Sequence, residues 1–271
     1  MLPPTEHSSL HGCPQQDRDK LEHSRLTRQF WFFHKNLNQG RLIYDERVVL
    51  APDGVVLESA AGTDPHTRYL VPRTIPPSVT INAIDISTTL FPDPSSTPPN
   101  VHFSQNSILK VPDSWTSRFD FASQKLLAGY LTTSQWRLVI SEFHRVLKPG
   151  GHIQLCEIDW NSWKMSKGPS DEPSRAYVEA LMLKRNLPED ILMLLPSLLE
   201  ECGFEDAKVE FGRSITIGIG EDGIEALRVS LNGLLRMKHG IQVAGIIQSE
   251  EEYDSLISSL QEEWDQGWGL I

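Results

Sequence analysis

The sequence predicts an α/β protein built on one doubly wound parallel sheet. Short apolar runs at 55–57, 79–86, 101–103, 119–122 and 152–158 alternate with helix-length segments, the pattern of parallel strands joined by crossovers. A turn of small residues, Ser59-Ala60-Ala61-Gly62-Thr63, follows the first run. The segment before the fifth run has helical periodicity and stops at Lys148-Pro149-Gly150-Gly151, a cation followed by helix breakers.

Taken in order, residues 1–18 lack apolar periodicity and read as a mobile tail, so the spacing of His7 and His11 is not a helical metal pair, and no metal site is expected. Residues 19–38 form an N-terminal helical extension, with Leu21, Leu26, Phe30, Phe33 and Leu37 near the helical period. A β-like stretch, RLIYDERVVL, follows it. The proline-rich FPDPSSTPPN separates strands two and three. Ser134 is placed to cap the next helix, whose apolar face is Trp136, Val139, Ile140, Phe143 and Leu147. Beyond Trp160 the chain turns polar, and helices at 174–186 and 188–202 suit a lid insertion over 161–205. Runs at 207–211 and 214–219 suit a sheet edge, followed by helices at 222–238 and 249–265. The expectation is one domain over 19–271, with its core at 54–160.

Composition narrows the function. The net charge is −11, opposite to that of a protein that neutralises phosphates, so nucleic acid is not expected as the partner. Three scattered cysteines without a CxxC pair suit a reducing compartment. There is no signal-like start and no apolar run of bilayer length, so a cytoplasmic, membrane-free protein is expected.

In a doubly wound sheet, ligands sit beyond the carboxyl ends of the strands, at the first turn and its neighbours. A dinucleotide fingerprint would need glycine at 60, 62 and 65, where the chain has Ala60, Gly62 and Pro65. A pyrophosphate there would also lie between Glu58 and Asp64, whose carboxylates repel it. The sulfonium and ammonium of S-adenosyl-L-methionine are attracted by the same acids.

Residues 54–160 resemble the core of class I SAM-dependent methyltransferases, a Rossmann-like fold, and most closely the fungal secondary-metabolism branch. The most specific stretch is FDFASQKLLAGYLTTSQWRLVISEFHRVLKPGGHIQLCEIDW, with RVLKPGG before strand five and LCEID after it. The resemblance implies S-adenosyl-L-methionine as cofactor. It matches Glu58 to the family's first-motif acid and Gly62 to its middle glycine, while Ala60 and Asp64 replace the outer two. Asp85, 23 residues after Gly62, matches the ribose acid. Asn106, with Ser107 beside it, falls where an acid usually lies next to the adenine, and Gln124 where the chain passes the methionine part. Before Pro65, Asp64 is also a good helix N-cap.

The implied activity is methyl transfer to a small-molecule acceptor in secondary-metabolite biosynthesis. The alternative is an accessory or regulatory protein of such a pathway that keeps the fold and does not methylate, motivated by the altered glycine loop. No catalytic residue is assigned, since positioning and desolvation can carry the transfer. Glu157, Asp159 and His34 are the candidate bases, with solvated loop acids as the alternative for the first two. Trp160 and Trp163 either wall an acceptor pocket or pack the lid, and His144 reads as a surface residue. Residues 239–271 hold seven acids and no Lys or Arg, yet Tyr253, Leu256, Ile257, Leu260 and Trp264 share a face. They form either a docked C-terminal helix or a surface for a pathway protein.

Overall fold

The computed structural model describes residues 15–36, 43–63, 75–158, 165–209 and 217–268. Five strands, β1 (Val55–Ser59), β2 (Thr80–Asp85), β3 (Val101–Gln105), β4 (Phe119–Lys125) and β5 (Leu147–Cys156), form a sheet of order β3-β2-β1-β4-β5. Every pairing is parallel. The chain runs outward to one side of β1 and then returns to its other side, so the topological switch lies between β1 and β4. The strands run longer than their apolar runs at the carboxyl ends of β1, β3 and β4, where Glu58, Ser59, Ser123, Gln124 and Lys125 continue the ladder.

The helices are α1 (Gln15–Asn36), α2 (Thr133–Val146), α3 (Asp171–Lys184), α4 (Ile191–Glu201), α5 (Gly220–Val243) and α6 (Glu250–Asp265). Contacts divide the chain into two compact units. The first holds the described residues of 33–158 and 186–209. In it, Trp136, Val139, Ile140, Phe143 and Val146 of α2 are fully buried in one core with Leu57, Ile84 and Ala122 of the sheet. Each such side chain contributes about 1.5–3 kcal/mol through burial. Ile191, Leu195 and Leu198 of α4 join that core, so this helix is a sheet-side layer rather than part of a lid.

The cap of α2 differs from expectation. Thr132, not Ser134, is the N-cap, because a capping box forms with Gln135: the Gln135 N–H donates to the Thr132 hydroxyl and the Gln135 carboxamide accepts from the Thr132 N–H.

The second unit holds the described residues of 15–32, 165–185 and 217–268. Here α6 buries Tyr253, Ile257, Leu260 and Trp264. The Trp264 indole donates to Met165 O at 2.5 Å, and the Tyr253 hydroxyl to Leu234 O at 2.8 Å. Glu263 is buried too, accepting from the Ser166 hydroxyl and, at 2.9 Å, from the Ser170 N–H. The apolar face of α6 is therefore occupied within the chain, which leaves its acidic side to solvent. The expected sheet edge at 207–219 is not formed by its described residues: 207–209 and 217–219 carry no strand, and 210–216 lie outside the described residues. No helix among the described residues is long and apolar enough to cross a membrane.

Thr132→Ala should lower stability by about 1 kcal/mol in a denaturant titration, whereas Ser134→Ala should cost only a few tenths of that. Equal losses would contradict the capping box.

Candidate functional site

The turn after β1 has a demanding backbone. Ala60 and Gly62 both lie in the left-handed region, with φ of 56° and 55°. Glycine adopts this at no steric cost, while alanine loses roughly 1 kcal/mol. The neighbouring strand holds the turn in place. The Ala61 N–H donates to Ile84 O at 3.0 Å, and the Gly62 N–H to Asp85 Oδ2 at 3.0 Å. The other Asp85 oxygen accepts from the Ser87 N–H at 3.0 Å. Each carboxylate oxygen keeps a free lone pair, so Asp85 can serve the turn and a ligand together.

Asn106 follows β3 directly. Its N–H donates to Asp85 O at 3.0 Å and its amide to the Ser104 hydroxyl at 2.9 Å. Ser107 closes a tight turn, its carbonyl accepting from Lys110 N–H at 3.1 Å and its hydroxyl from Leu109 N–H at 3.3 Å. Gln124, completely buried on β4, accepts a hydrogen bond at 3.1 Å from the Ser59 hydroxyl. The structure thus brings Ala60, Gly62, Asp85, Asn106 and Gln124 to the carboxyl edge of the sheet. Asp64, Asp159, Trp160 and Trp163 lie outside the described residues.

Glu58 has a different setting. It is 6% exposed, inside the sheet, with Ser123 beside it in register. The Ser123 hydroxyl donates to its carboxylate, and Lys125 Nζ lies 3.5 Å away. A buried carboxylate needs such compensation. Sequence reasoning missed Ser123 and Lys125. The available signal was their spacing, since residues two apart on β4 share the face on which a buried acid of β1 needs partners.

The candidate bases also find defined places. His34, near the end of α1, is buried, and burial followed by the Lys125 cation pushes its imidazole below the usual range. Glu157 follows β5, and its two oxygens accept from the Leu127 and Ala128 N–H groups at 3.0 and 2.9 Å. Burial pushes its carboxyl up to about 7, against the lowering effect of those donors. It is neither a solvated loop acid nor a carboxylate with both oxygens free. His144 is exposed and packs edge-on against Phe204, at 5.3 Å between ring centroids.

No protein-family model matches the chain. Among curated proteins, N-methyltransferase tcpN of Claviceps purpurea is 26% identical over 92% of this chain and 90% of its own length. N-methyltransferase verN of Clonostachys rogersoniana is 32% identical over 83 residues, which is 30% of this chain and 29% of that protein. In sequence the chain is thus similar to two fungal proteins named N-methyltransferases. Among solved structures, the YcgJ protein of Bacillus subtilis aligns over 79% of this chain and 80% of its own, at 16% identity and a TM-score of 0.47.

In this parallel sheet the turn at Ala60 keeps a left-handed backbone without the residue that favours it. Ala60→Gly should therefore stabilise the protein, by about 1 kcal/mol in chemical denaturation. A loss of stability would contradict the left-handed assignment.

Proposed function

We propose that the chain binds S-adenosyl-L-methionine at the carboxyl edge of β1, β2 and β4 and methylates a nitrogen of a small-molecule acceptor in secondary-metabolite biosynthesis. The observation that carries this reading is the left-handed Ala60–Gly62 turn hydrogen-bonded to the Asp85 carboxylate at the switch point of the sheet. A second observation supports the fit. Gln124 is completely buried, yet its Nε2 has no hydrogen-bond partner among the described residues. A buried orphan donor costs about 1–3 kcal/mol, which an acceptor atom on a bound molecule would recover. Asp85 suits the ribose hydroxyls, Asn106 the adenine edge and the turn the amino-acid part. A pyrophosphate at the same turn would meet the Asp85 carboxylate.

The bound cofactor supplies an electrophilic methyl on a sulfonium. The chain's own work is to orient the two reactants and exclude water, and this needs no dedicated base when the attacking nitrogen is unprotonated. Nitrogen is favoured over oxygen or carbon because both fungal relatives are named N-methyltransferases. The non-methylating alternative rests on Ala60 and on Asp64, the latter outside the described residues. It is the weaker reading because the turn keeps its left-handed geometry and both cross-strand hydrogen bonds with alanine in place. A cytoplasmic setting belongs to the same proposal and suits the free thiols of Cys156 and Cys202.

Asp85→Asn keeps the side chain's shape and removes its charge. S-adenosyl-L-methionine affinity measured by calorimetry should fall by about 2 kcal/mol, the scale of a hydrogen bond to a charged group. Unchanged affinity in the folded variant would remove Asp85 from the site. Incubation with methyl-labelled cofactor and a panel of small amines should move label to an acceptor. Cofactor binding without transfer to any acceptor would favour the accessory reading.

A further inference from the structure

The chain between Gln124 and the capping box at Thr132 contains a strained residue with an unusual restraint. Leu126 has a φ of 59°, a conformation that costs a bulky side chain about 1–2 kcal/mol. Its N–H donates to Cys156 O at 2.9 Å, and the next two N–H groups both donate to the carboxylate of Glu157. Gln124 stands two residues before Leu126, joined to Ser59 at the end of β1. The strained turn is thus tied to β5 by one backbone bond and one side chain, and it carries the end of β4 that meets the β1 turn.

We propose that Glu157 is a positioning residue for the cofactor site: by accepting from Leu127 and Ala128 it holds the β4–α2 turn, and with it Gln124, in the conformation that receives the cofactor. The ionised carboxylate offers each N–H a charged acceptor oxygen. Protonation removes that charge and turns one oxygen into a hydroxyl, a weaker acceptor, so the clamp loosens.

The burial of Glu157 makes this clamp titrate near neutrality, with a pKa of about 7. The shift comes from burial opposed by the two N–H donors, with no charged side chain among the described residues contributing. On its own strand the neighbouring titratable group is the Cys156 thiol, itself pushed up by burial. Lys125, at the end of β4, acts on Cys156 and His34, while His34, at the end of α1, is already lowered. Two pH trends of opposite sign follow. Because the folded pKa lies above the unfolded one, ionisation costs the fold, and stability falls as pH rises from about 4.5 through 7. Cofactor affinity rises over the upper part of the same range, as the clamp gains its charge.

The ligand part of this inference rests on the methyltransferase reading, but the clamp does not, and the experiment separates them. S-adenosylhomocysteine affinity would be measured by calorimetry from about pH 6 to about pH 8.5. Hydrogen-exchange protection of the Leu127 and Ala128 amides would be followed over the same range, in wild type and in Glu157→Gln. Wild-type affinity should rise about tenfold, on the scale of one charge-assisted bond, and amide protection should rise with it. Glu157→Gln should be flat in both and remain at the wild-type low-pH level. Flat wild-type profiles, or the same slope in the variant, would overturn the proposal. An affinity loss equal at every pH would reduce Glu157 to a structural support and overturn it equally. No binding by wild type, with the amide trend intact, would refute the methyltransferase reading and leave the clamp standing.

Discussion

Much of the first unit depends on one constraint: the chain leaving β1 passes through two left-handed residues, and the neighbouring strand holds them there. Ile84 O and the Asp85 carboxylate take the N–H groups of Ala61 and Gly62. Asp85 O in turn takes the N–H of Asn106, so the ends of β1, β2 and β3 are chained together by backbone and one carboxylate. Parallel strands make this arrangement available, because all their carboxyl ends lie on one edge. The Asp85 side chain is a structural tie at that edge, joining the β1 turn to the turn after β2.

The other half of the edge is organised by buried charge. Glu58 accepts from the Ser123 hydroxyl and lies near the Lys125 cation, and Glu157 accepts from two backbone N–H groups. The two acids therefore behave differently. The first is compensated by a cation from the adjacent strand, while the second is held close to its titration point by burial. The second unit uses the same device in Glu263, whose partners are the Ser166 hydroxyl and the Ser170 N–H.

Much of this was legible in the sequence, and the rest was hidden for physical reasons. The five strands and α2 announced themselves by apolar period, and Asp85 by its distance from Gly62. Strand ends were harder to place, because Ser123, Gln124 and Lys125 are polar residues that stay in the ladder to serve buried partners. Thr132 and Ser134 are both of a type that caps helices, and the reciprocal bond between Thr132 and Gln135 places the cap at Thr132. The strands expected at 207–211 and 214–219 carry no ladder in their described residues, and apolar pattern over so few positions does not by itself specify a pairing partner. The clamp by Glu157 was invisible because it joins the ends of two strands through backbone N–H groups, which carry no sequence signature.

The most direct test of the central claim is a crystal structure grown with S-adenosylhomocysteine. The account predicts density over the Ala60–Gly62 turn, with the ribose hydroxyls within hydrogen-bonding distance of Asp85 and a ligand acceptor atom facing Gln124 Nε2. A ligand bound elsewhere, or an Asp85 carboxylate still engaged only by Gly62 and Ser87 with the ligand present, would contradict it.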